Sequence, residues 1–365
     1  MSQLDLVFEG GGAKGTAFAG ALEALASAGH THRRLIGTSA GAITATLVGA
    51  GYSPAEMLQA CTETLPGTST PVFSTFLDAP KMEDISDTEI DNSQTMELLK
   101  AAQMPVLGAM EHRLLRLLLG LELYRELFSF NECGGFYMGN AFLTWFRGKL
   151  QQKGIPPDIR WRDFAAKTGS DVSVVTSDVS EQEMVVLNAR TAPDCPVAFS
   201  VRMSMSIPMV WEEVIWQADW GRYCGRDKAN HIFVDGGVLS NFPLALVAES
   251  GPEVTALMGD TDPNAAGTLG LLLDETIPVA GAQQSDTRRP RLRTADRVSR
   301  LIDAMTGSAD AAVIRQYPEL ICHIPVGGYG TTEFRMSPER MALLVQSGRE
   351  AMARYLNRAA AGAMA

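Results

Sequence analysis

The chain has 365 residues, 46% of them hydrophobic and 20% charged, with mean hydropathy near zero; this describes an ordinary globular protein with material for a large buried core and argues against a disordered one. A net charge of -11 and a pI near 5.0 exclude a general nucleic-acid binder, because duplex binding needs a basic face to neutralise phosphates. Five cysteines, Cys61, Cys133, Cys195, Cys224 and Cys322, show no CxxC or Cys/His spacing and read as free thiols, and with no signal-peptide core and no uncharged apolar run of membrane-spanning length a cytoplasmic protein is expected.

Residues 4–8 form a short apolar strand, followed by the glycine cluster Gly10, Gly11, Gly12, Gly15 and a helix-like stretch over 17–28 that Gly29 ends. A second strand at 33–37 runs into Thr38, Ser39, Ala40 and Gly41, then a small-residue helix closed by Gly49 and Gly51. Two strand-loop-helix units in succession predict a parallel sheet. Asp78, Glu83, Asp84, Asp87, Glu89 and Asp91 make residues 78–94 read as an exposed acidic connector, with structure resuming near Met96. Beyond it, stripes through Leu114, Leu117 and Leu121 and through Leu115, Leu119 and Leu123 predict helix buried on two sides. Further strands are expected at 172–177, 184–187 and 232–234, the last leading into Asp235, Gly236 and Gly237. The arginines from Arg288 to Arg300 form a basic loop at about 283–300, and the alanine-rich tail at 358–365 is expected to be disordered.

Gly37-Thr38-Ser39-Ala40-Gly41 fits GxSxG between a strand and a helix, where glycines let a serine occupy a cramped turn with its hydroxyl exposed. The upstream loop fits GxGxxG, so a dinucleotide site must be weighed. It fails on the acidic residue due at the end of the next strand, a place held by Thr38 and Ser39. A phosphate-binding P-loop fails because Lys14 precedes Gly15. What remains is a row of backbone N–H groups at Gly10, Gly11 and Gly12 beside a helix N-terminus, an anion receptor that could stabilise an oxyanion together with Ala40. Lys14 could meet a lipid phosphate or face solvent. Trp211, Trp216, Trp220 and Tyr223 suit a hairpin packed on the core, or a membrane interface.

FEGGGAKG, GTSAG and Asp235-Gly236-Gly237, in this order, resemble the glycine-rich, nucleophile and DGG motifs of the patatin-like phospholipases. Similar segments at 135–143, 200–208 and Asn241-Phe242-Pro243 extend the likeness over residues 4–247. The resemblance implies a three-layer α/β/α sandwich with a mainly parallel central sheet, in one catalytic domain over residues 1–357 with a helical cap-like insertion at about 96–150. It implies a Ser39 nucleophile and an Asp235 base, supported by Gly15, Gly37, Gly41, Gly236 and Gly237. The expected activity is calcium-independent hydrolysis of phospholipid or lysophospholipid esters, without metal or organic cofactor, by a protein that touches membranes transiently. A homo-oligomer, a small-molecule activator and a role as a membrane-degrading effector are all compatible with it. Glu9 departs from the Asp or Gly of many relatives but stands outside the N–H array. Three alternatives stay open: a Ser39, Asp235, His323 triad, an acyltransferase of similar layout, and a dinucleotide-binding or regulatory module that uses the glycine loop without catalysis.

Overall fold

A computed structural model describes residues 3–101, 111–260, 267–282 and 310–362; the basic stretch at 283–300 lies outside them. At the centre is an eight-stranded sheet made of β1 (Gln3–Phe8), β2 (Thr31–Thr38), β3 (Asp171–Asp178), β4 (Glu183–Leu187), β5 (Val214–Ile215), β6 (Ile232–Asp235), β7 (Gly267–Pro278) and β8 (Ile321–Gly327). The strand order is β8-β7-β1-β2-β3-β6-β5, with β4 also paired to β3. Every pair from β8 to β3 is parallel, whereas β4, β5 and β6 run antiparallel to their neighbours.

Side chains alternate across the sheet with the period of two that a strand imposes. Leu6, Phe8, Leu35, Val174 and Leu271 point into one hydrophobic layer, and Val7, Ile36, Val175 and Leu272 into another. The first layer is closed by α1 (Ala17–Ser27), α2 (Ala40–Gly49), α3 (Pro54–Thr62), α4 (Asn140–Gln152), α5 (Val197–Ser204) and α6 (Pro338–Gly362). Short helices at Ala245–Ala248, Pro252–Met258 and Ala311–Gln316 cover the second. Helices on both faces of a mainly parallel sheet make the expected three-layer α/β/α sandwich.

The acidic segment at 78–94 departs from expectation. It contains helical turns at Met82–Asp84 and Asp87–Asn92, and Ile90 is fully buried. Ser86 and Glu89 form a capping box, which satisfies two helix-end N–H groups at once and lets a polar segment fold locally. Helices Gln94–Ala101, Glu111–Leu118 and Glu122–Cys133 follow, sharing a small hydrophobic cluster of Ile90, Met96, Leu115, Leu119 and Phe128 apart from the main core. Burial on two sides does not occur, since Leu121, Leu123 and Leu127 are exposed and Leu117 is 74% exposed. Among the described residues, the leucine stripes are buried on one side. The tail expected to be disordered from residue 358 instead continues α6 to Gly362, as alanine, the strongest helix former, favours. Trp211, Trp216, Trp220 and Tyr223 are all buried, so the packed reading of that cluster holds and the membrane-interface reading does not. No helix among the described residues is long and apolar enough to cross a membrane.

Candidate active site

The register of one strand brings distant residues to one point. β3 pairs with β4 along one edge from Val174 to Asp178, and its other edge is shared by β2, up to Val175, and β6, from Thr176 onward. Thr38 therefore lies opposite Val175, and Asp235 opposite the very next residue, Thr176. Ser39 and Asp235 meet where β2 and β6 abut.

Ser39 leaves β2 as the N-cap of α2 with φ 53° and ψ -118°, a region that costs a non-glycine residue of order 1–3 kcal/mol. Its neighbours have no room for side chains: a Cβ on Gly37 would lie 2.2 Å from the Gly41 carbonyl, and one on Gly41 2.2 Å from that of Phe8. The turn is held from behind, because the Ser39 N–H donates to Ser204 Oγ at 2.9 Å and the Ser204 hydroxyl donates to the Val175 carbonyl at 2.6 Å. The Ser206 carbonyl accepts the Asp235 N–H at 2.8 Å. The end of α5 and the residues just after it thus fix both backbones.

Asp235 is 4% exposed. Its Oδ1 accepts the Gly237 N–H at 2.8 Å, while the buried Oδ2 has no hydrogen-bond partner among the described residues. Burial pushes its pKa up to about 7, against the opposing influence of the nearby Ser39 hydroxyl and the Gly237 N–H. Ser39 is thus close enough to favour the carboxylate without completing a hydrogen bond to Oδ2. Catalytic contacts are often this loose before substrate binds.

The glycine loop divides its labour. The Gly10 N–H donates to the Asn241 carbonyl at 2.9 Å, which removes Gly10 from the expected oxyanion set. The N–H groups of Gly11, Gly12 and Ala40 have no acceptor among the described residues. Gly12 and Ala40 open helical turns, where the first N–H groups lack intrahelical partners and attract anions. Glu9 matters more than its place outside this array suggests. Its carboxylate accepts from Asn241 Nδ2 at 3.2 Å and from the Leu273 N–H, and Asn241 Nδ2 also reaches the Gly10 carbonyl at 3.1 Å. Burial raises the Glu9 pKa to about 8, opposed by the Leu273 N–H and Lys14. Lys14 is buried and paired with Glu275 rather than facing solvent.

His323 binds Asp274, Nδ1 to Oδ2 at 2.9 Å, and borders neither cavity at Ser39. The Ser39, Asp235, His323 triad is not assembled. Asp178, Glu181 and His231 lie close enough to share an ion, but the Lys228 ammonium already sits 2.8 Å from Asp178 and 2.6 Å from Glu181.

Two cavities join at Ser39. One is the more polar of the two, bounded by the glycine loop, Lys14, Asp235, Asn241 and Glu275 together with Ile207, Pro208 and Val238. The other is apolar, follows α2 into the first helical layer and spans about 670 Å³ of empty space, open solvent at its mouth included. Gly12, Ser39 and Ile207 border both.

The profile of the patatin-like phospholipase family matches residues 6–248. The chain belongs to that family. It is 27% identical over 358 residues to the uncharacterized protein YqhO of Bacillus subtilis, covering 95% of each chain. It is 23% identical over 239 residues to the probable lipid hydrolase 463L of Invertebrate iridescent virus 6, covering 66% of this chain and 61% of that protein. Among solved structures, VipD from Legionella pneumophila is similar at 16% identity and a TM-score of 0.48, covering 98% of this chain and 67% of VipD. The type III effector ExoU is similar at 17% identity and a TM-score of 0.43, with 98% of this chain matched to 53% of ExoU.

In this patatin-like chain, Glu9, Asn241 and the 200–208 segment that holds Ser204 and Ser206 are site neighbours to which the sequence alone assigned no part in the site. Their signal was present but faint: buried hydroxyls in the segment at 200–208, and an asparagine directly after the DGG turn.

Proposed function

We propose that this chain is a serine lipid acyl hydrolase in which Ser39 is the nucleophile, Asp235 the general base, and the N–H groups of Gly11, Gly12 and Ala40 the oxyanion hole. The observation that carries this reading is a strained serine beside a buried carboxylate whose pKa of about 7 suits a base working near neutral pH. Asp235 takes the Ser39 proton as Oγ adds to the ester carbonyl, and the oxyanion is met by the N–H groups. Collapse of the adduct expels the alcohol, protonated by Asp235, and leaves an acyl-serine. Water then gives its proton to Asp235 as it attacks, and the serine recovers a proton when the fatty acid leaves.

Family membership and the meeting of a polar with an apolar cavity at Ser39 favour an amphiphilic ester, a phospholipid or lysophospholipid, with Lys14 available to a phosphate once it parts from Glu275. Such substrates lie in bilayers, so the chain works at a membrane surface, and with backbone N–H groups to meet the oxyanion the mechanism calls on no calcium. Mass spectrometry of phospholipid vesicles incubated with the wild type, Ser39→Ala and Asp235→Asn, each with and without a chelator, tests the reading. Fatty-acid release is expected from the wild type alone, with chelator making no difference. Undiminished release by either variant removes that residue from the mechanism.

A further inference from the structure

The apolar cavity has a length, and the length is set by α2. Ser39 caps this helix, and Ala40, Ile43, Thr44 and Leu47 line the cavity one turn after another. Leu47 stands eight residues beyond Ser39, about 12 Å along the axis at 1.5 Å per residue. Met57, Ala60 and Cys61 of α3 border the same space. Met57 and Ala60 are each 2% exposed, so at these two positions α3 presents a buried wall to the cavity. Phe73, Phe76, Phe142 and Trp145 pack ring against ring along another side, at centroid separations of 5.2 to 6.1 Å. Hardly any polar atom faces the interior, so nothing there solvates a headgroup or competes for a charged ligand.

Building on the hydrolase reading above, we propose that this cavity holds a single acyl chain and measures it, with Leu47 of α2 and Ala60 of α3 setting a limit of about ten carbons. An extended chain advances 3.3–3.6 Å over three bonds, or about 1.2 Å per bond. A carbonyl carbon at Ser39 Oγ therefore places roughly the tenth carbon level with Leu47. Each methylene drawn from water into the cavity contributes enough to raise kcat/KM about fourfold. Carbons beyond the limit must fold back or stay in the mouth and add nothing.

The test uses p-nitrophenyl esters from two to sixteen acyl carbons with the full-length chain, reading kcat/KM against chain length. The wild type is expected to climb steeply and level off or fall near ten carbons. Ala60→Phe, which fills the space, is expected to move that break to shorter chains, and Leu47→Ala, which lengthens it, to move the break to longer ones. The readout is the position of the break within each protein's own series, so a general loss of activity does not alter it, and thermal melting confirms that each variant is folded. A wild-type profile that rises unbroken to sixteen carbons, or a break that neither variant moves, overturns the proposal. Failure of the wild type to cleave even the two-carbon ester would instead overturn the hydrolase reading on which it rests.

Discussion

Replacing Asp235 by asparagine tests the site through stability as well as activity. A carboxyl that titrates near 7 in the folded chain and near 3.8 without it binds more protons folded than unfolded between those values. Stability contributed by the neutral form is complete below about pH 4, declines as pH rises, and is lost above about 7. The decline amounts to roughly 4 kcal/mol by pH 8, at 1.36 kcal/mol per pH unit. Asparagine cannot ionise, and its Oδ1 can still accept the Gly237 N–H. Its amide nitrogen occupies the place of Oδ2, which has no partner, and this takes back about 1 kcal/mol or more. The net gain at pH 8 is then about 2–3 kcal/mol. With a melting entropy of about 2.1 cal/mol/K per residue over 365 residues, that gain raises Tm by roughly 3–4 °C. Thermal melts of both proteins from pH 4 to 8 should show the difference growing with pH. Ester hydrolysis should meanwhile fall roughly 10²–10⁴-fold, and wild-type kcat/KM should rise to a plateau with an apparent pKa near 7. A variant no more stable than the wild type at pH 8, or equally stabilised at pH 4 and pH 8, would refute the argument that desolvation makes Asp235 basic.

Ser204→Ala leaves the Ser39 N–H and the Val175 carbonyl without their partner, so kcat should drop roughly ten- to a hundredfold with KM little changed; Ser204→Thr should retain most of it, and equal kcat values for wild type and Ser204→Ala would dismiss the positioning role. Glu9→Gln turns an amide NH2 toward either Asn241 Nδ2 or the Leu273 N–H, a cost present at every pH, so its Tm relative to the wild type should be lower below pH 4 and should rise between pH 4 and pH 9, by the same proton count as for Asp235, because burial holds the Glu9 pKa near 8; a relative Tm equal at the two pH values would dismiss the buried neutral Glu9. Lys228→Met strips the fully buried Asp178 of its ammonium partner and should destabilise the fold by roughly 3–5 kcal/mol at neutral pH, read as a lower denaturant midpoint. A midpoint within error of the wild type would mean that His231, also bonded to Asp178, carries that charge alone.

Much of the sheet is legible in the sequence because glycines punctuate it. β1 and β2 each end in a glycine-bearing turn, and β6 ends at the DGG turn. β7 is not legible in the same way, since the run through Leu269, Leu271, Leu272 and Leu273 lacks a polar alternation, and a short apolar run reads equally as buried helix or strand. Pairing with β1 and β8 on its two edges is what makes it a strand. Ser39 could be read from its own neighbours, because Gly37 and Gly41 announce a backbone too crowded for side chains. Its proximity to Asp235 could not, because it depends on β2 and β6 sharing one edge of β3. Gly10, Gly11 and Gly12 are alike in sequence, and only the Asn241 carbonyl tells the first from the others.

A carboxylate with an ordinary pKa is a poor base at neutral pH, so an aspartate can take this role only where water is kept from it. That exclusion destabilises the folded chain, as does the left-handed backbone at Ser39, and both would relax if the loops that bear them were free to move. They are not free. Asp310 accepts the Ser240 hydroxyl at 2.9 Å and the Phe242 N–H at 2.6 Å, Thr38 donates to the Ser240 carbonyl at 3.0 Å, and Asn241 binds the glycine loop on the other side. The segment after Asp235 is thereby tied to β2, to the glycine loop and to Asp310, and Ser204 ties the serine turn to β3. An acyl chain entering the apolar cavity would displace the remaining water beside Ser39 and push the Asp235 pKa higher still. The proposed substrate would then strengthen the base that deprotonates Ser39, and the apparent pKa of kcat should lie above that of kcat/KM, because the first reports the substrate-bound enzyme and the second the free one. Equal values would mean that the cavity and the base act independently.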